Sequence, residues 1–175
     1  MQKQQFSSVG AKLIYEMIER NCYLNQLIQL RDQDLIKVVT GIRRCGKSTL
    51  LQHFMQYLLA NGVAMDAIVF MNFEERENAR FASWEEIYDH IVATLATANK
   101  RYVFLDEVQS VPHFEKLVDA LYVKKDIDLY ITGSNAFLLS SELGTLLSGR
   151  YIAINLHPFS FAEYVAAFPD EHDSS

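Results

Sequence analysis

The sequence predicts an α/β fold, a three-layer α/β/α sandwich with a mainly parallel five-stranded sheet. Three observations predict it: five short apolar runs rich in β-forming residues, amphipathic segments between them, and turn residues where the runs end. Parallel neighbouring strands need crossover connections, and helices in those connections cover both faces of the sheet. The chain has 175 residues and is 50% hydrophobic, which is enough apolar material for one core of this kind.

The chain opens with a segment that precedes the first strand. Within residues 8–29, apolar side chains recur at helical spacing, and polar residues near Asn21 interrupt the pattern. We therefore predict an N-terminal helical entry segment over residues 1–30, the main domain over residues 31–168, and a frayed tail over residues 169–175.

Strands and helices then alternate along the main domain. The strands are expected at residues 35–40, 67–73, 102–105, 127–131 and 151–156. The helices are expected after Gly46 up to Asn61, from Ser83 onward, and over residues 114–122, 136–147 and 160–168. Ser83 is predicted to cap its helix because Glu86 follows three residues later, as in a capping box.

Composition narrows the classes of function. The formal net charge is −6 and the pI is near 5.3, which disfavours direct nucleic-acid binding by this chain. No window approaches the roughly 18 uninterrupted apolar residues of a spanning helix, so no membrane insertion and a cytoplasmic location are expected. The two cysteines, Cys22 and Cys45, are too few for a disulfide framework and are expected to be reduced thiols.

A phosphate-binding loop is predicted between the first strand and the helix that follows it. The loop comprises Gly41, Ile42, Arg43, Arg44, Cys45, Gly46, Lys47 and Ser48. Its glycines let backbone N–H groups turn inward, and the next helix adds its positive end. Lys47 is expected to contact the β and γ phosphates of ATP, Ser48 to bind Mg²⁺, and Thr49 to lie near the α phosphate. A chance match is the alternative, but the position between an apolar strand and an amphipathic helix favours the site.

Two acids end the third predicted strand. Asp106 is suited to hold Mg²⁺ through a water, and Glu107 directly after it can polarise a water for attack on the γ phosphate. The alternative is that the two acids merely cap a strand end or the next helix. Because a phosphate loop lies upstream, we favour ATP hydrolysis over binding alone.

Four further residues are candidates with a structural alternative beside each. Ser134 or Asn135, after the fourth strand, would sense the γ phosphate or else cap a helix. Arg150 would act as an arginine finger in its own or a neighbouring subunit, or else form a surface salt bridge. Tyr23 would belong to an apolar lid over adenine, although plain core packing is the stronger expectation.

Together these residues resemble a family, the prokaryotic AAA-type ATPases. The resemblance rests on the runs GIRRCGKSTLL from Gly41, FLDEVQ from Phe104, TGSNA from Thr132, LSGR from Leu147 and PFSF from Pro158. Arg20 with Tyr23 and Leu24 also fits the family's entry segment. The resemblance covers almost the whole chain.

The resemblance implies a P-loop NTPase fold with the strand order 5-1-4-3-2, and ATP and Mg²⁺ as cofactors. It implies site roles for Lys47, Ser48, Asp106, Glu107 and the pair Ser134 and Asn135, and Arg150 matches the finger. Such proteins usually continue into a helical DNA-binding-like segment and a nuclease-like domain, which we expect to be absent here. A second sensor arginine would then be missing or come from elsewhere. ATP or ADP is the expected ligand, and a homo-oligomer, a protein partner or the missing C-terminal domain stay open as partners.

Two other nucleotide-dependent functions stay open beside hydrolysis, whereas guanine specificity is disfavoured. Asn99-Lys100 is followed by Arg101-Tyr102 and so lacks the aspartate of the element that recognises guanine. A P-loop phosphotransferase would share the loop, but Glu107 fits activation of water better. A nucleotide-switched interaction module with little hydrolysis is the alternative from another class.

Overall fold

A computed structural model describes residues 20–95, 100–134 and 147–158 of the chain. Five parallel strands form one sheet in the order β2-β3-β4-β1-β5. They are β1 (Ile36–Gly41), β2 (Ile68–Asn72), β3 (Arg101–Asp106), β4 (Ile127–Ser134) and β5 (Tyr151–Leu156). Read from the other edge, this is the predicted order 5-1-4-3-2, and the predicted fold class is confirmed.

Four α-helices lie in the described part, together with three short 3-10 turns. The helices are α1 (Asn21–Leu30), α2 (Lys47–Ala60), α3 (Trp84–Thr94) and α4 (Phe114–Tyr122). The turns are Met65–Ala67, Asn78–Arg80 and Val108–Ser110. None of the helices in these three stretches combines the length and the apolar character needed to cross a membrane.

Two apolar clusters, one on each face of the sheet, make the fold a three-layer sandwich. On one face, α3 and α4 pack through residues such as Ile91 and Leu117. On the other face, α1 and α2 pack through residues such as Leu27 and Phe54. The three central strands, β1, β3 and β4, are buried on both faces, and their sequences are therefore largely apolar.

Local sequence signals account for several element ends. The Ser83 hydroxyl accepts a hydrogen bond from the Glu86 backbone N–H at 3.4 Å, and the Glu86 carboxylate accepts one from the Ala82 N–H at 2.8 Å. These bonds satisfy N–H groups at the start of α3, as the predicted cap requires. At the end of α2, the Asn61 N–H bonds back to the Tyr57 carbonyl at 3.0 Å.

The fourth strand differs from its prediction. It was expected to end at Ile131, but β4 continues to Ser134, because Gly133 and Ser134 pair in register with Thr40 and Gly41 of β1. Pairing with a central neighbour extends the strand through a Gly-containing sequence that reads as a turn by itself. The helices expected at 136–147 and 160–168, and Asn135, fall outside the described residues.

The register brings the functional strand ends together. Gly41 of β1 pairs with Ser134 of β4 and with Leu156 of β5. Asp106 of β3 pairs with Asn72 of β2. The loop after β1 and the ends of β3 and β4 therefore share the carboxyl edge of the sheet, where ligands bind in open α/β sheets.

Candidate functional site

The loop between β1 and α2 has the backbone of an anion cradle. Gly46, at the N-cap of α2, has φ 95° and Arg44 has φ 64°, so both lie in the left-handed region. Gly41 is required for a different reason, a close approach. A Cβ at Gly41 would lie 2.5 Å from the Leu156 carbonyl oxygen and 2.6 Å from the Cys45 Sγ.

Lys47 lies in the first turn of α2 and points into the site. Its side chain is 3% exposed, and Nζ lies 3.2 Å from the Glu107 Oε1. Nζ also donates to the Ile42 carbonyl at 3.4 Å. The first distance is at the upper end of the normal hydrogen-bond range and the second exceeds it, so the ammonium group is loosely held.

Thr132 connects the two acids that end β3. Its hydroxyl donates to the Asp106 Oδ1 at 2.5 Å and accepts from the Glu107 backbone N–H at 2.9 Å. Thr132 belongs to β4, the strand beside β3, so the sheet itself fixes the Asp106 carboxylate and the start of the Glu107 backbone. The sequence pattern gives Thr132 no separate role, although a polar residue on the strand next to Asp106 is a usable signal.

Asp106 is fully buried and only partly satisfied. Burial raises the pKa of its carboxyl above the usual value. The Glu107 charge adds to this shift, whereas the Ser48 and Thr132 hydroxyls and the Lys47 charge favour the ionised form. Within the described residues, Oδ2 is buried and has no partner at normal hydrogen-bond geometry. A divalent cation reached directly or through a water would supply what this oxygen lacks.

Glu107 adopts an uncommon backbone conformation, with φ 54° and ψ 48°. Its side chain is 15% exposed and turns toward Lys47 and Gln109, which contact one carboxylate oxygen each. Glu107 therefore lies at the mouth of the loop, where a γ phosphate would meet Lys47.

The entry segment contacts the phosphate loop directly. The buried Arg20 donates from Nη1 to the Cys45 carbonyl at 3.1 Å and lies over the Tyr23 ring at 5.5 Å. The Tyr23 hydroxyl accepts from the His157 backbone N–H at 3.4 Å. Tyr23 also packs against the apolar cluster that contains Leu27. Core packing, the alternative to an adenine lid, therefore accounts for the position of its ring. The sequence places Arg20 in the entry segment but does not predict its contact with the loop.

Arg150 does not reach the loop of its own chain. It precedes Tyr151, which pairs with Ile36 at the amino end of β1, about 20 Å from the loop at roughly 3.3 Å per residue. Its side chain is 47% exposed and pairs with Asp119 at 2.9 Å. The expectation of a finger acting within the same subunit is wrong, because parallel strands place the start of β5 at the opposite edge of the sheet.

The outer surface of the loop is exposed and cationic. Ile42, Arg43 and Arg44 are exposed there. Arg43, whose side chain is 82% exposed, pairs at 3.2 Å with Glu74 on the segment after β2. Cys45 is buried instead, and burial raises the pKa of its thiol, so it is a poor nucleophile. Ser48 and Thr49 are half-buried at the start of α2, beside Lys47.

The fold and the loop geometry define an α/β protein of the P-loop nucleotide-binding class. The model of the AAA_14 family, described as an AAA domain, matches residues 33–165, about three quarters of the chain. The chain therefore belongs to this AAA domain family. The family and the fold indicate a nucleotide-binding, ATPase-like core.

Curated relatives with similar sequences are longer than this chain. An uncharacterized protein of Haemophilus influenzae is 45% identical over 152 residues, which are 86% of this chain and 38% of the relative. The uncharacterized protein MJ1544 of Methanocaldococcus jannaschii is 32% identical over 168 residues, 91% of this chain and 36% of the relative. The chain thus spans less than two fifths of each relative.

Solved structures share the fold at low sequence identity. The Saccharomyces cerevisiae RIF2 structure superposes with a TM-score of 0.58 at 13% identity, over 95% of this chain and 68% of that one. Caenorhabditis elegans PCH-2 gives 0.52 at 16% identity, over 89% and 42%. A chain of Drosophila ORC bound to DNA gives 0.52 at 14% identity, over 87% and 97%. At such identities the likeness supports the fold alone.

Proposed function

We propose that this chain binds ATP with Mg²⁺ and hydrolyses it, as the ATPase domain of a larger machine that couples hydrolysis to conformational change. One observation supports this most directly: the Glu107 carboxylate lies 3.2 Å from the ammonium of Lys47, at the mouth of a phosphate loop. A carboxylate there is suited to act on a water next to the γ phosphate.

Residues 41–49 would hold the phosphates. The left-handed backbone at Arg44 and Gly46 turns N–H groups toward a bound anion, and the N-terminus of α2 favours negative charge. Lys47 would leave Glu107 for the β and γ oxygens, where its charge is better compensated. Tyr23, held near the loop through Arg20, would bound the adenine side.

Ser48 and Asp106 would hold Mg²⁺. Their oxygens suit a hard cation, and the buried Oδ2 of Asp106 is the atom left to receive it. The described residues contain no group of three or more His, Cys, Asp or Glu placed to hold a metal, which fits Mg²⁺ bound by one carboxylate and substrate phosphates. Bound Mg²⁺ would neutralise charge that develops on the phosphate oxygens.

Glu107 would accept the proton of the attacking water. Its backbone is fixed by the bond to Thr132, so little reorganisation is needed at the moment of attack. Ser134, at the end of β4 and paired with Gly41, is the described candidate for sensing the γ phosphate; Asn135 is proposed beside it from the sequence.

Phosphate release with ATP and Mg²⁺ tests this proposal. Glu107→Gln should lower kcat about 10²- to 10⁴-fold, the usual contribution of a general base, while ATP affinity is kept. Glu85→Gln, the same change at an exposed position of α3, should match the wild type. A wild type that binds ATP but releases no phosphate contradicts hydrolysis, and an active Glu107→Gln contradicts the role of this residue.

A second function has one observation in its favour. Both oxygens of the Glu107 carboxylate are engaged, by Lys47 and by Gln109, and a carboxylate engaged in this way is a weaker proton acceptor. A nucleotide-switched interaction module would keep this arrangement with ATP bound. Tight ATP binding with a nucleotide-dependent change in shape, but no turnover, is the result that favours it.

Arg150 is proposed to act only between two copies of the chain. Its exposed position at the amino edge leaves it able to reach a neighbour's loop after release from Asp119. Activity should then rise with protein concentration and fall in Arg150→Ala. Concentration-independent turnover would contradict a finger acting in trans.

We place the domain at residues 31–168, preceded by the entry segment 1–30 and followed by the tail 169–175. The free thiols of Cys22 and Cys45 favour a cytoplasmic location. The DNA in the Drosophila ORC structure belongs to that complex. The net charge of −6 disfavours direct DNA binding by this chain.

A further inference from the structure

The side chain of Gln109 lies against the proposed base. Its Nε2 donates to the Glu107 Oε2 at 2.6 Å, while the other carboxylate oxygen, Oε1, faces Lys47 at 3.2 Å. The shorter contact is therefore the one made by Gln109. Glu107 is held from two sides, by a loosely placed cation and by a close amide donor.

The amide orientation of Gln109 follows from its neighbour. With the amide reversed, a carbonyl oxygen would face a carboxylate oxygen at 2.6 Å, two acceptors with no proton between them. With the amide as it stands, Oε1 of Gln109 is buried and finds no hydrogen-bond partner within the part of the chain that the structure describes. The donation to Glu107 is thus the contact that sets this side chain.

The backbone that carries Gln109 is fixed relative to Glu107. Gln109 is the middle residue of the turn Val108–Ser110, and the Ser110 N–H bonds to the Glu107 carbonyl at 3.1 Å. Val108 is fully buried and anchors the turn in the core. Since the Glu107 N–H also bonds to Thr132, hydrogen bonds hold the main chain on both sides of Glu107.

We infer that Gln109 is a positioning residue that keeps the Glu107 carboxylate oriented at the mouth of the loop once phosphates draw Lys47 away. The inference rests on the proposed hydrolysis. When Lys47 turns to the phosphates, Oε1 of Glu107 becomes available to a water, and Gln109 remains as the restraint on Oε2. Without that restraint, a half-buried glutamate samples several rotamers, and fewer of them face the reacting oxygen.

A kinetic comparison of Gln109 variants tests this role. Gln109→Ala should lower kcat about tenfold, since misorienting a catalytic group by about 1 Å can cost up to 10²-fold, with KM for MgATP within about twofold of wild type. Gln109→Glu keeps the size but places a second carboxylate against Glu107, and should lower kcat at least as far. Gln56→Ala, on the exposed face of α2, serves as the matched control and should leave both constants unchanged.

A double-mutant cycle separates positioning from a merely structural role. If Gln109 acts through Glu107, then Gln109→Ala should have no further effect on single-turnover release of radiolabelled phosphate in the Glu107→Gln background. An equal loss in both backgrounds, or a loss confined to KM, overturns the inference. If Gln109→Ala does not fold, as judged by circular dichroism, Gln109→Met, which has a similar size but no amide donor, carries the same cycle.

The outcomes also separate this inference from the function on which it rests. An active wild type with a Gln109→Ala variant of equal kcat overturns the role of Gln109 and leaves hydrolysis standing. A wild type that binds MgATP without releasing phosphate overturns hydrolysis, and the positioning role fails with it.

Discussion

Two buried lysines, each paired with a carboxylate, lie at opposite edges of the same sheet. Lys37 pairs with Asp128 near the amino edge, and Lys47 pairs with Glu107 at the carboxyl edge. The pairs have the same chemistry and nearly the same burial of the lysine. They differ in their surroundings: the polar groups around Lys37 have partners, whereas Asp106 beside Lys47 has a buried oxygen, Oδ2, without a partner in the described residues.

The pair at the amino edge is closed. Lys37 is 0% exposed and bonds to Asp128 Oδ1 and, at 2.7 Å, to the Gln33 carbonyl. The other oxygen of Asp128 accepts from the Asp32 N–H and the Tyr130 hydroxyl, both at 2.8 Å. Burial raises the pKa of Tyr130 far above its usual value, so its hydroxyl stays protonated and donates.

The pair at the carboxyl edge lies beside a carboxylate that is only partly satisfied. The Lys47–Glu107 contact is 3.2 Å, and the buried Oδ2 of Asp106 beside it has no partner at normal geometry in the described stretches. A completed buried network stabilises a fold, whereas an incomplete one is tolerated where a ligand completes it. This difference supports a structural role for Lys37 and the ligand-binding role proposed for Lys47.

The same substitution at both lysines tests this difference with the largest expected effect. Lys37→Met should lower the free energy of unfolding by about 3–5 kcal/mol, because Asp128 keeps a buried charge without its cation. Urea unfolding monitored by circular dichroism measures the loss. Lys37→Met combined with Asp128→Asn should recover more than half of it, since the buried charge is gone.

Lys47→Met is the matched variant, and it should reduce ATP affinity rather than stability. The ATP dissociation constant should rise about 100-fold, or about 2.7 kcal/mol, because the charge-assisted bonds to the phosphates are lost. The free energy of unfolding should change by only about 1 kcal/mol, since Glu107 keeps Gln109 and access to water. Titration with a fluorescent ATP analogue and urea unfolding give both values. If Lys47→Met destabilises the fold more than Lys37→Met, the comparison is wrong.

Asp106→Asn tests the partly satisfied carboxylate beside Lys47 and should have a smaller effect on stability. Because the folded-state pKa of Asp106 is raised, the folded protein holds this proton more tightly than the unfolded chain, whose value is near 3.8. The free energy of unfolding of the wild type should therefore fall, relative to Asp106→Asn, as the pH rises from below that value through the folded-state pKa. Urea unfolding of both proteins across this pH range checks the sign, and parallel curves would contradict it.

The same variant tests the metal role of Asp106. Mg²⁺ should raise the affinity of the wild type for ATP, and this increase should be absent in Asp106→Asn, since the ionised carboxylate is gone. A variant whose ATP affinity still responds fully to Mg²⁺ would show that the ion is held elsewhere.

Much of the fold followed from sequence patterns that depend on near neighbours. The bounds of β5 and α4 were predicted as they are found, because apolar runs and helical spacing decide them. The end of β4 was missed, since Gly133 and Ser134 join the strand only through pairing with β1. Local sequence patterns predict the bounds of an element well where no pairing with a distant strand changes them.

The candidate site divides in the same way. The loop from Gly41 to Ser48 was readable because its spacing is itself the requirement for a cradle. The role of Thr132 depends on β4 lying beside β3, and the place of Arg150 depends on the direction of β5. Neither fact is contained in the residues around those positions.

The type of fold, the phosphate loop and the two acids after β3 could be predicted from the sequence alone, because each depends on residues that are neighbours along the chain. Only the tertiary structure decided which groups meet at the site: that Glu107 lies between Lys47 and Gln109, and that Arg150 lies at the far edge. The physical reason is that hydrogen bonds and charge pairs act over a few ångströms in space. Sheet register, which depends on the whole chain, sets those distances.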